Sequence, residues 1–251
     1  MILYDEYIWG DKFKKYYENN KNIIFCNNKD INYVKSEVPL NSQIIITHNG
    51  DTPVESDLVY TYKSCKLWFG QNIFCKDKHV YALPIGLEND YIGGQPQRKL
   101  ILNEKSFIEK TPSKLAYFNC NVNTHKTDRI PAFEYFKTKS WCTVKTPRPD
   151  YHAFCDETLD HYFVISPRGN GLDCHRSWES LYLNRYLVMK RYHGLEQLFE
   201  DLPVVFVDNW NEVTEELLQN KLIEFKNKSF NYEKLKFSYW IKMIEDKVNQ
   251  L

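Results

Sequence analysis

Thirteen residues from Pro167 to Glu179 carry two arginines, a histidine, two glycines and two carboxylates, in the run Pro-Arg-Gly-Asn-Gly-Leu-Asp-Cys-His-Arg-Ser-Trp-Glu. Gly169 and Gly171 allow the backbone to approach a ligand closely, and Asp173 suits an N-cap for a helix whose Trp178, Leu181 and Tyr182 fall on one face. A helix N-terminus presents free N–H groups and partial positive charge, and Arg168, His175 and Arg176 add donors around it. The chemistry this favours is capture of a phosphate or diphosphate, with Asn170 in the same turn. Arg168 and Arg176 can grip phosphate oxygens bidentately, so the site needs no metal. The competing reading pairs Arg168 with Asp173. Glu179 stands one turn beyond His175, where it could take the hydroxyls of a ribose or pair with His175 as an i,i+4 neighbour. Asp173, Cys174 and His175 are consecutive and point in different directions from a helix start, which argues against zinc.

Positioning such a loop takes a strand before it and a helix after it. Residues 162–165 read as that strand, within a series of apolar runs at 115–118, 141–144, 186–189 and 204–207. A helix is expected over about 129–137, and Asn184 fits a left-handed C-cap after the helix that carries Glu179. Helical spacing over 211–226 and 232–249 predicts two further helices closing this second half. The first half shows runs at 23–26, 43–47, 58–60 and 79–84, which predict a parallel βαβ sheet with some intervals too short for full helices. Residues 88–114 turn polar, with Gly93, Gly94, Pro96 and Pro112 as breakers, and the boundary between two domains is expected there. The expected organisation is α/β: an N-terminal domain over 1–100, a second domain over 113–230 and a closing helix over 231–251.

The chain has 251 residues, enough for two small domains, and 33 basic against 33 acidic side chains. That balance gives no global field to attract nucleic acid or an anionic membrane, so any anion site is local. No apolar run approaches the roughly 18 residues of a membrane span, and residues 1–20 lack the apolar core of a signal peptide. The seven cysteines form no C-x-x-C pair and suit reduced thiols, so a cytoplasmic location is expected. The Asn-, Lys-, Ile- and Tyr-rich composition fits a bacterial or viral origin.

The run Pro167-Arg168-Gly169-Asn170-Gly171, then His175-Arg176-x-Trp178-Glu179-x-Leu181-Tyr182, then Leu202-Pro203-Val204-Val205 and Val207-Asp208-Asn209-Trp210 resembles the C-terminal half of exostosin-like glycosyltransferases of family 47. The resemblance covers roughly residues 113–215. It implies a GT-B enzyme, two Rossmann-like domains facing a cleft with the N-terminal one reduced, moving a sugar from a nucleotide diphosphate with inversion. A UDP-sugar donor is implied, with xylose or glucuronic acid favoured, a glycan as acceptor, and Glu179 matching the family's nucleotide-sugar glutamate. On that reading Asn123, Thr124 and Arg129 complete the diphosphate pocket; an Asx-turn leading into a helix is the alternative for this stretch.

Inverting transfer needs a general base on the acceptor side. Asp51, then His48, are the candidates, because both follow the strand at 43–47 and α/β sheets bind ligands at the C-terminal ends of their strands. Thr47-His-Asn-Gly-Asp51 is also an ordinary turn composition. Asn72 is a candidate acceptor contact, and Glu88 is a further base or acceptor residue. The alternative to an enzyme is a catalytically inactive module of the same fold that binds a nucleotide or a glycan.

Overall fold

Short runs of Ile, Val, Leu and Phe, apolar on both faces, become the strands of two parallel sheets, each covered by helices. The computed structural model describes residues 2–90, 97–146 and 149–251. In chain order the elements are α1 (Gly10–Tyr17), β1 (Ile24–Asn27), α2 (Ile31–Glu37), β2 (Ile44–His48), α3 (Ser56–Thr61), β3 (Leu67–Gly70), β4 (Val80–Ala82) and α4 (Gln97–Ser106). They continue through β5 (Lys114–Phe118), α5 (Lys126–Phe136), β6 (Cys142–Val144), α6 (Tyr151–Leu159), β7 (His161–Ile165), α7 (His175–Tyr182), β8 (Tyr186–Lys190), α8 (His193–Phe199), β9 (Val204–Val207), α9 (Glu215–Lys226) and α10 (Phe237–Val248).

The first sheet runs β1-β2-β3-β4 and the second β6-β5-β7-β8-β9, with every pairing parallel. Numbered within itself, the second sheet has the order 2-1-3-4-5. The direction of winding reverses between β5 and β7, so the loops leaving these neighbours part and open a crevice at their C-terminal ends. Alternation along each strand sorts the second sheet's side chains to two sides. Ala116, Phe118, Phe163, Ile165 and Val188 pack beneath α5 and α9 in one core. Tyr117, Val164, Leu187 and Met189 join a second core that continues through Trp178 and Tyr182 of α7 into Ile45, Trp68 and Phe69 of the first sheet. The two sheets therefore share one hydrophobic core across their junction.

Several expectations needed correction. Residues 58–60, read as a strand, lie in α3, where only Leu58 is buried and Tyr60 is exposed. A three-residue apolar run carries no periodicity to separate the two states. The missing strand is β3, buried throughout. The polar stretch 88–114 contains α4, which packs against α6 and α7, while Gly93, Gly94 and Pro96 lie outside the described residues. The C-terminal helix α10 returns to the first half of the chain: the Phe237 ring packs tilted against Phe13 with centroids 5.0 Å apart, and Glu245 accepts from the Tyr16 hydroxyl at 2.8 Å. Asn184 takes the left-handed conformation expected after α7, with φ of 56°.

The junction depends on one glycine outside either sheet. Gly86 has φ of +63°, and a Cβ there would lie 2.2 Å from the carbonyl oxygen of Ile8. Its neighbour Leu87 donates its N–H to that same oxygen at 2.6 Å. Gly86→Ala should therefore cost about 2 kcal/mol or more in urea unfolding; an unchanged midpoint would mean that the strand-like 8–87 contact is not a fixed part of the fold.

Candidate active site

Loops from the C-terminal ends of both sheets enclose a cavity of about 440 Å³. The second sheet supplies Thr124 and Arg129 after β5, and Gly169, Asn170, Gly171 and Asp173 to Arg176 after β7. These are the two loops that part at the reversal in strand order, which is why they converge on one place. The loops of the first sheet supply His48, Asn49, Gly50, Asp51 and Gln71, with Gly10 from the start of α1 and Ile85, Leu87 and Asn89 on the connecting segment.

Arg129, in the first turn of α5, ties the loops after β5 and β7 together. Its Nε donates to the carbonyl of Arg168 and its Nη1 to that of Asn121, both at 2.8 Å, and Nη2 lies 3.9 Å from the Cys174 sulfur. Arg176, in the first turn of α7, is buried at the same wall. Burial raises the thiol pKa of Cys174 despite the two arginines, so it serves as packing beneath the loop rather than as a nucleophile.

The cap of α7 differs from the sequence reading. Cys174 is the N-cap and makes no side-chain cap bond. Asp173 lies one residue earlier and has a larger task. Its Oδ1 accepts from the Cys174 N–H at 2.8 Å, and its Oδ2 accepts from the Trp178 indole at 2.7 Å and from the Ile85 N–H at 2.8 Å. Burial outweighs these three donors and pushes its carboxyl up to about 7. His175 is bound to the same segment, its Nδ1 standing 2.8 Å from the carbonyl oxygen of Gly86.

The opposite wall is built from carboxamides. Asn49 has left-handed φ of 61°, which asparagine tolerates better than most residues. Its Nδ2 donates to Asp11 at 3.1 Å and Asn27 at 3.3 Å, and its Oδ1 accepts from Asn89 at 3.0 Å. Burial raises the pKa of Asp11, held within this network. Asp51 stands at the exposed rim, where the Asn170 amide reaches it across the cleft at 3.3 Å.

Of the residues named from sequence, Asp51, His48, Thr124, Arg129, Gly169, Asn170, Gly171, His175 and Arg176 border one cavity. His48 borders it without a free ring nitrogen, and Asn72, Arg168, Glu179, Glu88 and Asn123 are not among its lining residues. His48 is fully enclosed: Nδ1 accepts from the Asn49 N–H at 2.8 Å and Nε2–H donates to the Pro84 carbonyl at 2.9 Å. With burial holding it down to about 4, both nitrogens are spent and it positions the turn instead of acting as a base. Asn72 is likewise engaged at both ends of its amide. It donates to the Gly50 carbonyl at 3.0 Å and accepts from the Leu172 N–H at 2.9 Å, joining the two walls. Gly171 permits that approach, since a Cβ would sit 2.5 Å from Asn72 Oδ1.

Arg168 folds back onto its own loop, donating to the Asn170 carbonyl at 2.6 Å and lying over the rings of Phe74 and Tyr192. Glu179 is 3% exposed and does not border the cavity, because its helix face turns into the packed interior. Glu88 turns onto Arg98 of α4. Asn123 is exposed in an Asx-turn closed by Asn121 at 3.0 Å. Among the described residues no group of His, Cys, Asp or Glu is arranged to hold a metal ion.

Asp11, Asn49, Asn89 and the clamping role of Asp173 escaped the sequence. Their partners are tens of residues away, and no local spacing signals them. Another depression, of about 630 Å³ beside β6, includes Lys137 and Lys145, but these pair with Glu134 and Glu157.

His48 and Asp173 should leave opposite marks on stability. Neutral His48 loses its contribution as pH falls from about 6.5 toward about 4, because the unfolded chain takes up the proton first. Asp173 holds its proton more tightly when folded, so its contribution falls as pH rises from about 4 to about 7. In urea titrations the stability gap between parent and His48→Gln should widen with rising pH, and that between parent and Asp173→Asn should narrow, each by at most about 1.4 kcal/mol per pH unit. Gaps that stay constant with pH would contradict these assignments. In comparisons with known proteins, no family model and no curated protein matches the chain.

Proposed function

We propose that this chain is an inverting glycosyltransferase of the exostosin-like, family 47 type, with its two sheets in a GT-B arrangement. It transfers a sugar, xylose or glucuronic acid by family resemblance, from a UDP-sugar to a glycan hydroxyl. The observation that carries the reading is the convergence of Arg129, His175 and Arg176 at the β5/β7 reversal, facing Asp51 across the cavity. Guanidinium groups and a helix N-terminus supply fixed positive charge for a diphosphate, so the transfer is metal-independent.

In the reaction the acceptor oxygen bonds to the sugar's anomeric carbon as its proton passes to Asp51. The bond from that carbon to the diphosphate oxygen breaks on the opposite face, and the electron pair leaves with UDP. Arg129, Arg176 and the first N–H groups of α7 stabilise the charge that develops there, which is where preorganised donors are most effective. Asp51 is the base because the other carboxylate at the cavity, Asp173, has its oxygens committed to three N–H groups. A cytoplasmic enzyme accords with a chain in which no described helix is long and apolar enough to cross a membrane.

The second reading is a nucleotide- or glycan-binding module without activity. The observation on its side is that Asp51 is exposed and engaged by Asn170, whereas general bases are commonly half-buried. A panel of radiolabelled UDP-, GDP- and TDP-sugars with glycan acceptors separates the two. The enzyme reading expects binding and transfer, with Arg129→Ala weakening donor binding at least about tenfold and Asp51→Asn lowering kcat by about 100-fold or more at unchanged donor affinity. UDP binding without turnover supports the module, and absence of both binding and turnover rejects both.

A further inference from the structure

The hydrogen bond from His175 to the connecting segment restricts what the ring can do at the cavity. Its Nδ1 lies 2.8 Å from the Gly86 carbonyl oxygen. A carbonyl only accepts, so Nδ1 must carry the hydrogen. In the neutral ring Nε2 is then a bare lone pair, an acceptor that repels a phosphate oxygen. Only the imidazolium can donate from Nε2 while keeping its bond to Gly86. Among the described residues Nε2 makes no hydrogen bond, and the ring borders the cavity beside Arg129 and Arg176.

We propose that His175 couples diphosphate binding to uptake of one proton: the donor binds to the imidazolium form, whose Nε2–H contacts a diphosphate oxygen. This rests on the nucleotide-sugar reading above and specifies how that site recognises its anion. A diphosphate diester brings two negative charges to a ring whose only available response is to become a donor by protonation. The titratable and charged groups facing the same space are His48 and Asp51 from the end of β2, Arg129 from α5, and Asp173, Cys174 and Arg176 beside the ring. Burial keeps His48 neutral, with both nitrogens occupied. Burial lifts Asp173 to about 7, so it also exchanges a proton in this range, but its oxygens are filled by N–H groups; the Cys174 thiol is raised by burial, and a guanidinium is a donor only. Asp51 stands at the exposed rim, where it accepts from the Asn170 amide; His175 is the one ring of the set with an unfilled nitrogen that protonation converts from acceptor to donor.

The test is titration calorimetry of the whole chain with UDP-xylose, UDP-glucuronic acid and UDP-glucose, in buffers of different ionisation enthalpy, from pH 6 to pH 8. In that range the diphosphate diester does not titrate, so any proton exchanged comes from the protein. For the sugars that bind, uptake of about half a proton or more near pH 7.5 is expected, with affinity weakening at least about threefold from pH 6.5 to pH 8. His175→Asn keeps an amide N–H for Gly86 but cannot carry charge. It should bind more weakly, take up no proton and show a flat pH profile. Binding by the parent without proton uptake overturns the coupling and leaves the nucleotide-sugar reading standing, as does uptake that survives in His175→Asn. Failure of all three nucleotide sugars to bind overturns both.

Discussion

Two adjacent backbone groups, the N–H of Ile85 and the carbonyl of Gly86, are held by side chains at the start of one helix, α7. Asp173 accepts from the first and His175 binds the second, each at 2.8 Å. Farther along the same helix the Tyr182 hydroxyl accepts from the Ile8 N–H and donates to the Leu235 carbonyl, both at 3.0 Å. An element of the second half thus satisfies polar backbone of the first half in a region where unpaired groups would be expensive. The shared hydrophobic core supplies most of the driving force for joining the sheets, but it is non-directional. The hydrogen bonds set the angle at which the halves meet, and with it the width of the cleft.

The same interaction accounts for the chemistry of the walls. Asp173, surrounded by three N–H groups, is structural, and Asp51 at the rim is the cavity's other carboxyl, met by a single amide from Asn170. The Gly86 carbonyl sets the tautomer of His175, so the geometry of the junction decides what the cavity offers an anion. On the far wall, Asn49 and Asn72 leave their strands with φ of 61° and 58°. Backbone strain of this kind persists where neighbours over-determine it, and here every amide group has a stated partner. This wall is therefore rigid and rich in carboxamides, a surface suited to hydroxyl groups.

Much of the framework was legible in the sequence. Strands such as Ile44-Ile45-Ile46 and Phe163-Val164-Ile165 are apolar on both faces, as parallel strands must be. The loop from Arg168 to Arg176 could be read as a ligand-approaching turn because glycines, cations and a helix start are local signals. What the sequence concealed depends on distant partners. Arg168 looked like an anion-binding arginine, yet of the three arginines named from sequence it is Arg129 and Arg176 that border the cavity, Arg129 holding its place through a bond to the Arg168 carbonyl from 39 residues away. Glu179 followed a recognisable motif, but the position of α7 between two packed layers turned it inward. The apolar triplet in α3 misled for a simpler reason: three residues are too few to show a period.

The nucleotide-diphosphate seat proposed for the crevice at the β5/β7 reversal can be probed by hydrogen exchange with and without UDP. Saturating UDP is predicted to slow exchange in peptides covering 121–129 and 168–176 together, with 48–51 responding from the opposite wall. Protection confined to other surfaces, or none at millimolar UDP, would contradict it.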